Sequence, residues 1–136
     1  MNTSSLIKKA NRLLVKKANE LLKPHGITHA YTYFLMELYR QEGLTQSEMY
    51  KQIGIEQPTA VRTLDRMERD GLIRREPSAT DRRALMIHLT EKGRAYREII
   101  ADCAKQLNDL ALNDFTENDR KVINQLVMRL TSNLES

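Results

Sequence analysis

The chain has 136 residues, 40% hydrophobic and 29% charged, with five Gly, three Pro and a net charge of +4. That length suits one domain with a modest core, and the balance excludes collagen-like, Pro/Gly-rich disordered and disulfide-scaffold chains. No apolar run reaches the roughly 18–20 residues that span a bilayer, residues 1–5 lack the apolar centre of a secretory signal, and the single cysteine, Cys103, cannot close an intramolecular disulfide, so a reducing cytoplasm is expected and no membrane partner is.

The first predicted helix carries Leu6, Ala10, Leu13, Leu14, Ala18, Leu21 and Leu22 at three- and four-residue intervals, the repeat of one helix face. Pro24 and Gly26 end it. Thr28 is placed to cap a second helix reaching about Glu42, with Leu35 and Leu38 inward and Gly43 as its stop. Thr45-Gln46-Ser47-Glu48 reads as a capping box, in which each end satisfies the other's free N–H. It opens a short third helix with Met49, Tyr50 and Ile53 inward, closed by Gly54. Pro58 fits the first turn of a fourth helix, where a missing N–H has no partner to lose. Ala60, Val61, Leu64 and Met67 form the core face of that helix, and Gly71 follows Asp70 as a left-handed stop. The period then drops to two: residues 72–76 and Leu85, Ile87 and Leu89 read as a hairpin whose turn, residues 77–83, is basic at its tip. Thr90 caps a long helix to about Leu112. Thr116-Glu117-Asn118-Asp119 starts a last one, with Ile123, Leu126, Val127, Leu130 and Leu134 on one face.

Short helix, tight turn, helix and hairpin in that order make a winged helix-turn-helix. The fold class is therefore mainly α with a small β part (α+β): a single domain, 1–136, in which 28–90 form the winged helix and 1–27 and 91–136 are dimerisation helices. Both terminal segments carry an apolar stripe, and so short a chain has little other core to bury them against, so an obligate homodimer is expected with Lys8 to Lys17 on its outside.

On the fourth helix Thr59, Arg62, Thr63 and Arg66 recur at i, i+3, i+4 and i+7, with Gln57 and Pro58 at its start. A stripe of hydroxyls and guanidiniums suits a major groove: Arg pairs bidentately with guanine, Gln with adenine, and Thr touches a thymine methyl or a phosphate. A polar stripe alone is usually just a solvated face; the short helix before it and the basic hairpin after it favour DNA. The charge is local rather than uniform. Residues 1–25 carry a net +5, residues 57–83 carry seven Arg against five carboxylates, and the remainder is net −3. At the hairpin tip Asp81 precedes Arg82 and Arg83. One arginine is expected to enter a narrow minor groove, and the other to pack on Asp81, which orients the turn; the sequence leaves open which does which.

The runs Leu44-Thr45-Gln46-Ser47-Glu48, Ile53-Gly54-Ile55-Glu56-Gln57-Pro58-Thr59-Ala60-Val61-Arg62-Thr63-Leu64-Asp65, Gly71-Leu72-Ile73, and Asp81-Arg82-Arg83-Ala84 through Leu89-Thr90-Glu91-Lys92-Gly93 resemble the MarR family. The stretch from Gly54 to Asp65 is most similar to its SlyA branch. The resemblance implies a homodimeric transcription regulator that presents one winged helix to each half of a pseudo-palindromic operator in double-stranded DNA. It also implies relief by a small aromatic acid or other anionic effector. A redox-sensing subset of the family uses a cysteine near the N-terminus, which this chain lacks.

The remaining candidates are weaker. Tyr31, Tyr33, Phe34 and Tyr39 crowd into the second helix. They read either as ordinary core or, with the family in mind, as the wall of an effector pocket, in which Tyr31, Tyr33 and Phe34 would have His25, His29 and Arg40 nearby as carboxylate partners. His25 and His29 have the spacing of two metal ligands on one helix face, but Pro24 and Gly26 interrupt the turn and nothing completes a site, so no metal and no cofactor is expected. Cys103 reads as packing. No nucleophile–base pair and no phosphate-cradling Gly loop is present, so an enzyme is not expected. The competing reading is a winged-helix protein-interaction module without DNA binding, which would have no reason to keep both the polar stripe and the double arginine.

Overall fold

The structure, a computed structural model, describes residues 1–135; Ser136, the last residue of the C-terminal dimerisation segment expected above, lies outside the described residues. Helix α1 spans Thr3–Leu22 and runs into a 3-10 turn at Lys23–His25, where Pro24 supplies the break. Helix α2 covers His29–Arg40, two residues short of the expected end. Thr28 sits at its N-cap position but makes no side-chain cap. Asn19 of α1 does this instead, accepting the His29 N–H on Oδ1 at 2.8 Å, a cap from ten residues upstream that local sequence cannot announce. Helix α3 is Gln46–Ile53, with the Thr45/Glu48 capping box formed. Helix α4 is Gln57–Arg69, with Pro58 in its first turn and Gly71 at φ +80°, a left-handed position that residues with a Cβ avoid.

Strands β1, Ile73–Pro77, and β2, Leu85–Leu89, pair antiparallel in the register Ile73↔Leu89. The wing is wider than a hairpin. The Ile87 N–H donates to Leu44 O at 3.0 Å and Thr45 bridges Met86, so β2 is flanked by a third extended piece. Leu85 is exposed, unlike Ile87 and Leu89. Helix α5, Glu91–Ala111, and helix α6, Glu117–Leu134, complete the chain.

One core fills the winged-helix unit. Phe34, Leu35, Leu38, Leu44, Met49, Leu64, Met67, Leu72, Ile73 and Ile87 are all fully buried, while Val61 is only half-buried. Ile100 and Cys103 of α5 and Leu22 of α1 join this core. The joint between wing and α5 is tight. The Thr90 hydroxyl donates to Gly71 O at 2.6 Å and accepts the Gly93 N–H, and a Cβ on Gly93 would run into the Leu72 carbonyl oxygen. Buried Tyr31 on α2 donates to Asp70 at 2.7 Å, closing the α4 end of the unit. Burial and that carboxylate push its hydroxyl up to about 12, and the same bond holds Asp70 below the usual carboxylate range.

The terminal helices are different. Helix α1 buries only Ala18 and Leu22, and α6 buries nothing. Leu6, Leu13, Leu126, Val127, Met128 and Leu134 lie open to solvent. An apolar groove of about 630 Å³ runs between the start of α1 and the last turns of α6, walled by Ile7, Leu126, Leu130 and Leu134. No helix among the described residues is long and apolar enough to cross a membrane.

Candidate nucleic-acid interface

Helix α4 presents Gln57, Pro58, Thr59, Arg62 and Arg66 on its exposed side. Thr63 is not with them: it is 8% exposed and its hydroxyl donates to Thr59 O one turn back, at 3.0 Å. A threonine can satisfy its own hydroxyl on the preceding turn and turn its methyl inward, which is why a polar letter here does not mark the polar face.

The seven arginines of residues 57–83 divide sharply. Arg69 pairs with Asp70, Arg74 with Glu76, Arg75 with Asp65 and Glu68, and Arg83 lies 3.9 Å from Asp81. Every carboxylate in this stretch is thereby engaged, and His88 Nε2 adds a second contact to Glu76 at 3.0 Å. Arg62, Arg66 and Arg82 make no ion pair or hydrogen bond among the described residues. Two of them are on α4 and one is at the wing tip, the places where DNA contacts are expected.

Asp81 orders the tip through the backbone. It accepts the Arg83 N–H on Oδ1 at 3.0 Å, and its own carbonyl accepts the Ala84 N–H at 3.0 Å. The Arg83 guanidinium is 97% exposed, so its 3.9 Å ion pair with Asp81 constrains it little. Thr45, Gln46 and Ser47 at the start of α3, Gln57 of α4 and Arg83 of the wing line a single cleft of about 200 Å³. The helix-turn-helix and the wing thus meet at one surface, which includes the start of α3. Such a helix start favours phosphate oxygens.

Arg75 is the residue the sequence disguised. Counted there as one more basic side chain, it points inward and joins β1 to α4 and α3. Burial alone would push its guanidinium down, but the hydrogen bonds to Asp65 and Glu68 outweigh this and hold it above the ordinary arginine value.

The expected effector residues do not converge. Phe34 and Tyr31 belong to the core. Arg40 projects from the end of α2 and pairs with Glu37 at 3.0 Å. His25 faces a separate shallow depression with Lys92 and Tyr96. The physical reason is helical pitch: consecutive aromatic letters on α2 fall on opposite faces. His29 and Tyr33, four apart, do meet, with His29 Nε2 3.0 Å from the Tyr33 hydroxyl and the rings edge-on at 4.9 Å. They line a crevice of about 700 Å³ with Val15, Asn19 and Lys23 of the α1 side and Arg66 of α4. Burial lowers the His29 pKa. On its other side His29 borders a smaller apolar cavity of about 140 Å³ with Met36, Ile100 and Cys103. Among the described residues no group of three or more His, Cys, Asp or Glu could hold a metal ion.

Residues 25–84 match the family model described as the MarR family. An uncharacterized helix-turn-helix-type transcriptional regulator, YwoH of Bacillus subtilis (strain 168), is 32% identical over 120 residues, covering 88% of this chain and 87% of that protein. Among solved structures, the transcriptional regulator SlyA superposes with a TM-score of 0.88 at 24% identity, over 98% of this chain and 94% of the other. A mutant MarR from E. coli complexed with operator DNA superposes at 0.83 and 24% identity, over 93% and 91%. Both have the winged-helix fold found here, and SlyA is only one of several such neighbours, so the similarity does not single out its branch.

Proposed function

The chain belongs to the MarR family of winged-helix transcription regulators, and we propose from that premise that it binds double-stranded DNA sequence-specifically as a homodimer on a pseudo-palindromic operator, and is released by a small anionic or aromatic effector. The observation that carries this reading is the division of the arginines. Four are tied to carboxylates, and the three left unpaired stand on the recognition helix and the wing tip. A protein-interaction module would have no use for three free guanidiniums so placed. Arg62 and Arg66, with Gln57 and Thr59, face the major groove, while Thr63 supports the helix from inside. Arg82 enters the minor groove from the turn that Asp81 orders through the Arg83 and Ala84 N–H groups. The dimer forms through the open apolar faces of α1 and α6, its groove filled by the partner, and two-fold symmetry sets the two recognition helices about 34–36 Å apart, one turn of DNA.

The effector occupies the crevice of Lys23, His29, Tyr33 and Arg66, where two cations and an aromatic edge suit an aromatic carboxylate. Such a ligand weakens operator affinity by the factor by which DNA weakens its own binding. Nothing in this reading asks for a cofactor or an enzymatic step, and it places the protein in the cytoplasm, where its DNA is.

Fluorescence anisotropy against a duplex selected by the protein from a random library, with salt varied, tests the reading. With about six free arginines per dimer at the DNA, log K should fall against log salt with a slope no steeper than roughly −5. Arg62→Ala should lose about 1–3 kcal/mol per half-site and relax preference at one position. Failure to select any sequence contradicts the reading; millimolar salicylate that neither binds nor shifts the complex removes the effector from it.

A further inference from the structure

Asp65 and Glu68 present a difficulty for a helix that reads DNA. Both carboxylates lie on α4 among the arginines that should meet phosphates and bases. Asp65 is three residues after Arg62 and four before Arg69, the spacings at which side chains on one helix meet and oppositely charged pairs form. Left alone, Asp65 would take the Arg62 guanidinium. It does not: its Oδ1 accepts from Arg75 Nη2 at 2.6 Å, and Arg62 is left unpaired.

Arg75 is built to do this. Its side chain is 14% exposed. Beyond Asp65, Nη2 donates to Glu68 Oε1 at 2.9 Å and Nε to the same oxygen at 3.3 Å. Nη1 donates to Gln46 Oε1 at 3.1 Å, and the Arg75 backbone N–H donates to Glu68 Oε2 at 3.0 Å. The planar fork thus spends its donors on α4 and α3 while the residue itself belongs to β1, and the geometry is one a lysine ammonium cannot reproduce. The Glu68 contact also covers the free edge of β1, so recognition helix and wing share one fixed angle.

We propose that Arg75 is a positioning residue for DNA recognition: by taking Asp65 and Glu68 it keeps Arg62 free for bases and locks the wing to the recognition helix. This rests on the DNA-binding reading above and adds to it a residue that touches no DNA.

The test compares the wild-type chain, Arg75→Met, Asp65→Asn and the double variant by anisotropy. The probes are a duplex that the wild type selects from a random library and a random duplex of equal length; thermal melting of each variant is followed alongside. Arg75→Met should lose about tenfold on the selected duplex and less than about threefold on the random one, because a freed Asp65 captures a base-reading arginine. Adding Asp65→Asn should recover most of that loss on the selected duplex, whereas Asp65→Asn alone should change little. A general loss of positive charge would move both duplexes equally, and a merely structural ion pair would not be rescued by removing its partner; either result overturns the proposal, as does wild-type affinity for Arg75→Met. Should Arg75→Met melt below the assay temperature, Arg75→Lys takes its place with the same pattern required. A wild type that selects no sequence fails the DNA-binding reading itself, and the proposal falls with it.

Discussion

Helices α2 and α6 both carry an apolar stripe, yet Leu35 and Leu38 on α2 are fully buried while Leu126, Val127 and Met128 on α6 stand in solvent. Residues 28–90 build most of one core, with α3, α4 and the wing all contributing to it and Leu22, Ile27, Ile100 and Cys103 completing it. The first half of α1 and all of α6 do not. The contrast teaches that hydrophobic periodicity tells which face of a helix must be covered but not by whom: by the same chain in one region, by a second copy in the other under the proposed dimer. The arginines repeat the lesson in charge. Within residues 57–83, those tied to carboxylates are held by the fold, and those proposed to serve DNA have no carboxylate partner.

The joint between the wing and α5 is the place to break the winged-helix unit hardest. Gly93→Ala drives a Cβ into the Leu72 carbonyl oxygen, a backbone atom with no rotamer to escape through. It should cost about 4 kcal/mol or more, read as a fall in melting temperature at any protein concentration. Leu38→Ala, wholly inside the winged-helix unit, should cost about 2–5 kcal/mol through the cavity it leaves. Leu126→Glu tests the other side: it should leave the circular dichroism of the unit intact while weakening self-association by about 2 kcal/mol or more per protomer, seen by sedimentation equilibrium. Equal effects of Leu38→Ala and Leu126→Glu on a monomer's stability would erase the distinction between the regions.

Smaller effects sharpen it. Asp81→Ala removes a negative charge from a DNA-facing tip, so simple electrostatics predicts tighter binding. The ordering of the turn by Asp81 predicts operator affinity weaker by about 1 kcal/mol with the melting temperature unchanged. The smallest effect is in pH. Burial lowers the His29 pKa in the folded chain below its ordinary 6.5, so below that pH the unfolded chain binds a proton the folded one resists. Stability from this group is complete above pH 6.5 and declines as pH falls toward the folded value. His29→Gln should flatten that decline. Asp70, also lowered, acts in a separate window below its usual 3.8.

Much of the fold was legible because its signals are local. The Thr45/Glu48 capping box, the Pro58 first turn, the glycine stops and the period change into the hairpin each lie within a few residues. Interactions that span the chain were hidden. Asn19 caps α2 from ten residues away, and Arg75 finds Gln46 across twenty-nine. Leu44 adds a third piece to the wing through one backbone bond. The candidate site divides the same way. Arg62, Arg66 and Arg82 could be named from spacing and tip position, but that these are the three left unpaired within residues 57–83 depends on where five carboxylates fold. Thr63 was misplaced on the polar face because a hydroxyl that bonds its own helix is indistinguishable in sequence from one that faces water. The effector residues scattered because four aromatic letters in one helix cannot all share a face.

The central claim is that two copies of this chain, joined through α1 and α6, hold two sets of free arginines on one operator. Sedimentation velocity of a fluorescent selected duplex, titrated with the 15.8 kDa chain, measures that directly. The account predicts a single complex of two chains per duplex, with no one-chain species at any point of the titration, and its loss when Leu126→Glu is used instead. A stable complex of one chain per duplex, or equal uptake by a duplex of random sequence, would contradict it.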